Sequence, residues 1–170
     1  MSASLVLSIN VHMSKIQKTN VARLLDKAGI SYELIAYEVD ETDLSAVHVA
    51  AELNENPKQI FKTLVLEGNK TKYFVCIIPA DEEVDLKKTA AVSGNKNCDL
   101  ILQKDLLPVT GYIRGACSPI GMKKQFPAFI HNSCSEFPYI YVSAGQRGLQ
   151  IRIAPQDLIQ ISQARPAQLI

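Results

Sequence analysis

A chain of 170 residues fits one domain rather than two. It is 47% hydrophobic and 21% charged, which gives it material for a core and an ordinary globular charge content. A formal net charge of +1 argues against a protein that coats long duplexes by counterion release, though not against one that receives a single nucleic-acid end.

Cys76, Cys98, Cys117 and Cys134 are scattered without a Cys-x-x-Cys pair, and His12, His48 and His131 are isolated. Zinc sites usually show paired ligands at short spacing, so no metal is expected. No disulfide framework is implied, and a reduced, cytoplasmic setting fits. The apolar opening from Met1 to His12 lacks the basic region and cleavage site of a signal peptide. No apolar run approaches the ~20 residues that span a bilayer, so no membrane partner is expected. Met13-Ser14-Lys15 reads as a second start. Residues 1–14 are therefore read as an extension or a miscalled start, and 15–170 as a single domain.

The first helix is expected from Asn20 to Ala28, where Val21, Leu24, Leu25 and Ala28 form one stripe. Thr19 or Asn20 can cap it and Gly29 can end it. Tyr32 to Tyr37 reads as a strand. A second helix covers Ser45 to Leu53 with Val49, Ala50 and Leu53 inward, and Pro57 follows it. Phe61 to Glu67 and Tyr73 to Ile78 read as strands around a Gly68-Asn69-Lys70 turn. Asp85 can cap a third helix, Leu86 to Val92, stopped near Gly94. Asp99 to Leu102 reads as a short strand, with a helical turn before Pro108. Thr110 to Gly121 is rich in turn formers. Ala128 to His131, Tyr139 to Ser143 and Leu149 to Ile153 read as strands, the last two joined as a hairpin. Pro155 suits the first turn of a closing helix carrying Leu158, Ile159 and Ile161. Helices and hairpins alternate without a steady βαβ rhythm. The expectation is α+β, with a mixed, mostly antiparallel sheet.

Lys62 heads an apolar row with Leu64 and Leu66 on one face of its strand, while Phe61, Thr63 and Val65 take the other. Such a lysine either snorkels to water or points into a pocket. The Gly115–Gly121 stretch is either a structural turn or a loop that aims backbone amides at a carbonyl or phosphate oxygen. Cys117 is either a small buried hydrophobe or a nucleophile, and the latter needs His131 or His48 brought near. Ser143 closes a strand and faces a pocket or caps a turn. Tyr37 offers a phenol donor or is partly buried. Lys123, Lys124 and Arg147 are phosphate contacts or solvated surface.

Several segments together carry a resemblance. Phe61-Lys62-Thr63-Leu64, Asp85-Leu86-Lys87-Lys88, Thr110-Gly111-Tyr112 and Gly115 stand in order. They are followed by Ser118-Pro119-Ile120-Gly121, Lys123-Lys124, Tyr141-Val142-Ser143 and Arg147-Gly148-Leu149. From Lys18 to Ala164 the chain resembles the YbaK/ProX family of aminoacyl-tRNA deacylases, most closely its Cys-tRNA(Pro) deacylase branch. The resemblance implies a partly barrel-like sheet with helices around it, and a pocket for the 3′ end of a mischarged tRNA. It implies that Lys62 is the residue most closely tied to activity. Tyr37, Gly115, Ser118 and Pro119 would line the pocket, with Ser143 and Gly145 nearby. It implies no cofactor, and prolyl-tRNA synthetase as a partner. Two departures stand out: Ala144 precedes Gly145 where many relatives have Gly-Gly, and Gln150 replaces an acidic residue. An amide at Gln150 still accepts a hydrogen bond from a substrate amine but attracts it less.

The family mechanism lets the substrate cysteine thiol attack its own ester, which suits a chain with no evident Ser-His-Asp or Cys-His set. The alternatives are an Ala-tRNA(Pro) hydrolase of the same fold, a binding module without catalysis for tRNA or a synthetase, and a thiol enzyme using Cys117.

Overall fold

Two sheets and five α-helices form from residues 16–170, the part of the chain that the computed structural model describes. The reading of residues 1–14 lies outside the described residues. Each of these five α-helices is eight residues long, and three of them start at a side-chain cap, which a helix too short to hold itself together in water needs. Helix α1 (Asn20–Lys27) starts where the Thr19 hydroxyl accepts from the Ala22 amide at 3.2 Å, and it buries Val21, Ala22 and Leu25. Strand β1 (Glu33–Ala36) leads to α2 (Ala46–Leu53), capped by Ser45 and closed by Asn54 in the left-handed region.

A 3-10 turn at Pro57–Gln59 feeds the long hairpin of β2 (Phe61–Gly68) and β3 (Tyr73–Pro79). Their register runs from Phe61 opposite Pro79 to Glu67 opposite Tyr73. Asp85 caps α3 (Leu86–Ser93), which ends at Gly94. Then come β4 (Cys98–Leu100), α4 (Gln103–Thr110), β5 (Ala128–His131), β6 (Ile140–Ser143) and β7 (Leu149–Ile153). Helix α5 (Pro155–Ser162), with Pro155 in its first turn, and β8 (Arg165–Ala167) close the chain.

One sheet has the order β1-β7-β6, the other β4-β2-β3-β5-β8. Pairing is antiparallel except for β3–β5 and β5–β8, which are parallel. The mixed, mostly antiparallel character matches the expectation, and the expected curvature takes the form of two sheets meeting at a seam. A single parallel bridge, Ile60 to Tyr141, joins them, and the Gln59 side-chain amide donates to the Tyr139 carbonyl at 2.8 Å beside it. The main core fills one face of this seam with Phe61, Val65, Val142, Ile151 and Ile153 against Val21, Leu25 and Leu158. On the opposite face Ala50, Ile60, Ala80 and Tyr141 form a smaller cluster under α2.

Two elements differ from the sequence reading. Helix α4 runs through Pro108 instead of stopping before it. The proline removes one intrahelical donor, and its natural acceptor, the Lys104 carbonyl, belongs to an exposed residue that water can satisfy. Strand β8 was not expected, because Arg165-Pro166-Ala167 reads poorly as a strand. It lies at the outer edge of its sheet, where a proline is tolerated.

The β2–β3 turn is seated on the end of α3 by buried Asn95. Its Oδ1 accepts from the Lys70 and Thr71 amides at 2.8 and 2.9 Å, and its Nδ2 donates to Ser93 Oγ at 2.8 Å. Asn95→Ala strands two amide donors and should cost about 1–3 kcal/mol of stability. Urea unfolding should show a lowered midpoint with an unchanged slope; an unchanged midpoint would mean that water replaces the side chain fully.

Candidate active site

The bridge at the seam sets a row of side chains. Two residues beyond Ile60 and Tyr141, along the same direction, stand Lys62 on β2 and Ser143 on β6. Ser143 is in turn paired with Gln150 on β7. Equivalent positions on neighbouring strands face the same way, so Lys62, Ser143 and Gln150 come together although 88 positions separate the first from the last. All three line a cavity of about 380 Å³. Its other walls include Leu44, Ala46 and Val49 around the start of α2, Leu100, Ile101, Leu102 and Leu106 from β4 into α4, and the turn holding Arg114, Gly115 and Cys117.

Lys62 is half-buried and donates to the Ala80 carbonyl at 3.1 Å. Burial pulls its ammonium below the ordinary lysine range, opposed by the nearby Glu83, Asp81 and Glu82 carboxylates. Lys62 therefore points into the cavity rather than simply snorkelling outward. Gln150 is 5% exposed, and among the described residues its Oε1 has no hydrogen-bond partner; Thr63 Oγ1, also in the lining, has none either. Buried polar atoms are rarely left unpaired, so both are natural contacts for a bound molecule.

The loop side is held by the hairpin turn. Ser143 Oγ donates to the Ala116 carbonyl at 2.9 Å and accepts from the Gly145 amide at 3.1 Å. The phenol of Tyr112 donates to the Ile120 carbonyl. Its ring packs so tightly on Gly145 (φ +90) that a Cβ there would sit 3.0 Å from the ring.

Of the eight residues named from the sequence, Lys62, Gly115, Ser143 and Gln150 line the cavity, and the other four do not. Ser118 is fully buried, and its Oγ accepts from the Ile120 amide at 3.3 Å inside the loop. Pro119 borders a separate cavity of about 180 Å³. Gly145 accommodates Tyr112. Tyr37 is partly buried, and its backbone amide donates to the Gly148 carbonyl at 2.9 Å. Sequence reasoning missed Thr63, Arg114 and the apolar wall from Leu44 and Leu100–Leu106. Thr63 alone had a signal, its place beside Lys62. Ala144, the departure from Gly-Gly, is fully buried in the main core, which accepts its methyl group.

Cys117 lies in the lining, but burial pushes its thiol up to about 12. No hydrogen bond joins it to a histidine among the described residues. His131 Nδ1 accepts from the Leu169 amide at 3.3 Å, and His48 sits between Asp43 and Glu52 at 3.9 and 3.6 Å.

A cavity on the seam of two sheets, lined by one lysine and a glycine-containing turn, is the site that this fold presents. A family model for the aminoacyl-tRNA editing domain matches residues 41–161, and the chain belongs to that family. It is 44% identical over 153 residues to EbsC of Enterococcus faecalis, a name that assigns that protein provisionally as a Cys-tRNA(Pro)/Cys-tRNA(Cys) deacylase. The match covers 90% of this chain and 93% of EbsC. A proline–tRNA ligase of Brachyspira hyodysenteriae is 25% identical over 124 residues, 72% of this chain and 21% of the ligase. The fold matches a crystal structure described provisionally as a trans-editing enzyme for prolyl-tRNA synthetase. The TM-score is 0.77 at 20% identity, with 90% of this chain and 98% of the other covered.

A thiol held near 12 is almost wholly protonated at neutral pH and nucleophilically silent. Alkylation of Cys117 by iodoacetamide, followed by peptide mass mapping, should be slow at pH 7 and still rising above pH 9. Rapid labelling at pH 7 would mean that Cys117 is an activated nucleophile.

Proposed function

We propose that this chain is a free-standing, cytoplasmic trans-editing deacylase that removes cysteine from mischarged Cys-tRNA(Pro), and also from Cys-tRNA(Cys), in partnership with prolyl-tRNA synthetase. The observation that carries the reading is a substrate-sized cavity with a desolvated lysine and no protein nucleophile–base pair among its lining residues. The near-full-length similarity to EbsC supports the amino acid and the tRNA. Among the described residues no helix is long and apolar enough to cross a membrane.

The reaction then draws its nucleophile from the substrate. The cysteinyl thiolate attacks its own ester carbonyl, a sulfur–carbon bond forms, and the bond from that carbon to the ribose oxygen breaks. The ribose oxygen takes up a proton, and the thiolactone product is hydrolysed by water after release. Holding the thiol against the carbonyl is worth roughly several kcal/mol of barrier, since the step is intramolecular. Lys62, a compact cation in a partly dry wall, holds the ribose or phosphate oxygens next to the leaving group. Gln150 Oε1 accepts from the substrate ammonium. Among the described residues the amides of Gly115 and Cys117 donate to no acceptor, whereas that of Ala116 is taken by the Ile113 carbonyl at 3.0 Å. They are the candidates to polarise the ester carbonyl.

Deacylation of Cys-tRNA(Pro) should outpace that of Ala-tRNA(Pro) and Pro-tRNA(Pro), and S-methylation of the substrate cysteine should abolish it. A clear alanine preference would instead assign a water-driven hydrolase of the same fold, and no cleavage of any substrate a binding module. Lys62→Ala removes a charge-assisted hydrogen bond, so kcat/KM should fall roughly 10- to 100-fold with the thermal melt little changed. Near-wild-type turnover would remove Lys62 from the site.

The pH profile of kcat/KM should rise through about 8.5 as the substrate thiol ionises. It should fall again as Lys62 loses its proton, at a pH below that of an exposed lysine because burial disfavours the charged form. In Lys62→Arg that upper limb should disappear; an unchanged limb would show that another group titrates there.

A further inference from the structure

Among the described residues the cavity lining includes two charged side chains, Lys62 and Arg114, and no carboxylate. They sit at different depths. Gln150 is buried, Lys62 half-buried and Arg114 exposed at the rim. Lys62 is partly balanced by the Asp81–Glu83 carboxylates, while Arg114 forms no ion pair among the described residues.

The turn that carries Arg114 is held by two hydrogen bonds. The Ala116 amide donates to the Ile113 carbonyl at 3.0 Å, and Gly115 has φ +83, the features of a type II turn with Arg114 and Gly115 at its centre. Such a turn leaves its central carbonyl facing outward. Here that carbonyl, of Arg114, accepts from Arg147 Nε at 2.9 Å. A Cβ on Gly115 would lie 3.3 Å from that Nε and 3.4 Å from Leu44 Cδ2, so only glycine lets Arg147 and α2's approach close around the turn.

We propose that Arg114 binds the internucleotide phosphate on the 5′ side of the terminal adenosine, and that Arg147 is a positioning residue that fixes the Arg114 turn. This assignment rests on the deacylase reading and adds a subsite to it. A ligand whose reactive ester lies against Gln150 and Ser143 and whose nearest backbone anion lies at the mouth matches the inside-to-outside order of the side chains. A guanidinium fork pairs with phosphate oxygens through two hydrogen bonds, and an unpaired one at a cavity mouth is placed for that. The charge also agrees with the chain's near-neutral balance, because one phosphate contact at a strand end needs one free cation rather than a basic surface.

The test uses two esters on the full chain: cysteinyl-adenosine, which has no phosphate, and a cysteinylated CCA trinucleotide, which has. Arg114→Gln should raise KM for the trinucleotide about 10- to 100-fold, the size of a lost charge-assisted contact, with kcat little changed. Its kcat/KM on cysteinyl-adenosine should equal that of wild type, which also reports an intact fold. The salt dependence of log kcat/KM on the trinucleotide should flatten by about 0.7, one phosphate contact on a single strand. Arg147→Gln should cause a similar KM increase, and Arg114→Lys should recover part of the loss. Equal losses on both esters, or no loss on either, would overturn the assignment while leaving the deacylase reading standing. If wild type cleaves neither ester, the deacylase reading falls and takes this assignment with it.

Discussion

The arrangement of this molecule depends on one contact between sheets, the parallel bridge from Ile60 to Tyr141. It lies where β2 enters its sheet and β6 runs alongside. Beyond it the two strands share no ladder of hydrogen bonds, so the sheets part. One face of the seam is filled by the main core. The other is covered by α2 over a much smaller cluster. The cavity opens where the sheets part: Lys62, Ser143 and Gln150 follow the bridge in register, while Phe61, Val65, Leu106 and Cys117 border it from the main core. A shift of β2 by one residue would turn Lys62 toward the main core and away from Ser143 and Gln150. The burial of Phe61 and Val65 is thus what holds Lys62 in place.

The loops complete what the seam begins. Ser143 reaches the Ala116 carbonyl and Arg147 reaches the Arg114 carbonyl, so both ends of the β6–β7 turn grip the same stretch of chain. Tyr112 closes the gap, hydrogen-bonding to Ile120 and packing on Gly145. These contacts explain why Ser118 and Gly145 matter to the loop without lining the cavity. They are residues of the loop's own construction, which places backbone amides and Arg114 at the opening. Preorganising donors in this way spares a site the cost of ordering them when substrate arrives. The apolar wall from Leu44 and Leu100–Leu106 lowers the local polarity, and the same desolvation disfavours the Lys62 charge and keeps the Cys117 thiol protonated.

Much of the fold was legible locally. Caps at Thr19 and Asp85, the glycine at position 94 and the Pro155 start are short-range signals, and each helix they bound formed as read. The long hairpin was readable from two strand-forming runs around Gly68-Asn69-Lys70. Strand β8 and the helix through Pro108 were not, since tertiary placement at a sheet edge and on an exposed face overrode the local penalty of proline. The family itself was recognisable in sequence, because its motifs are contiguous runs of residues in a fixed order.

The sequence by itself determined the family motifs and most of the helices and strands, because capping, periodicity and turn chemistry act within a few residues. Only the tertiary structure decided which of those residues meet. Lys62, Ser143 and Gln150 belong to three strands in two sheets, and their common row exists only through the register across the seam. The cavity depth that separates buried Gln150 from exposed Arg114 is likewise a property of packing. So is the protonated state of Cys117, since desolvation depends on every element that surrounds a group and no short stretch of chain encodes it.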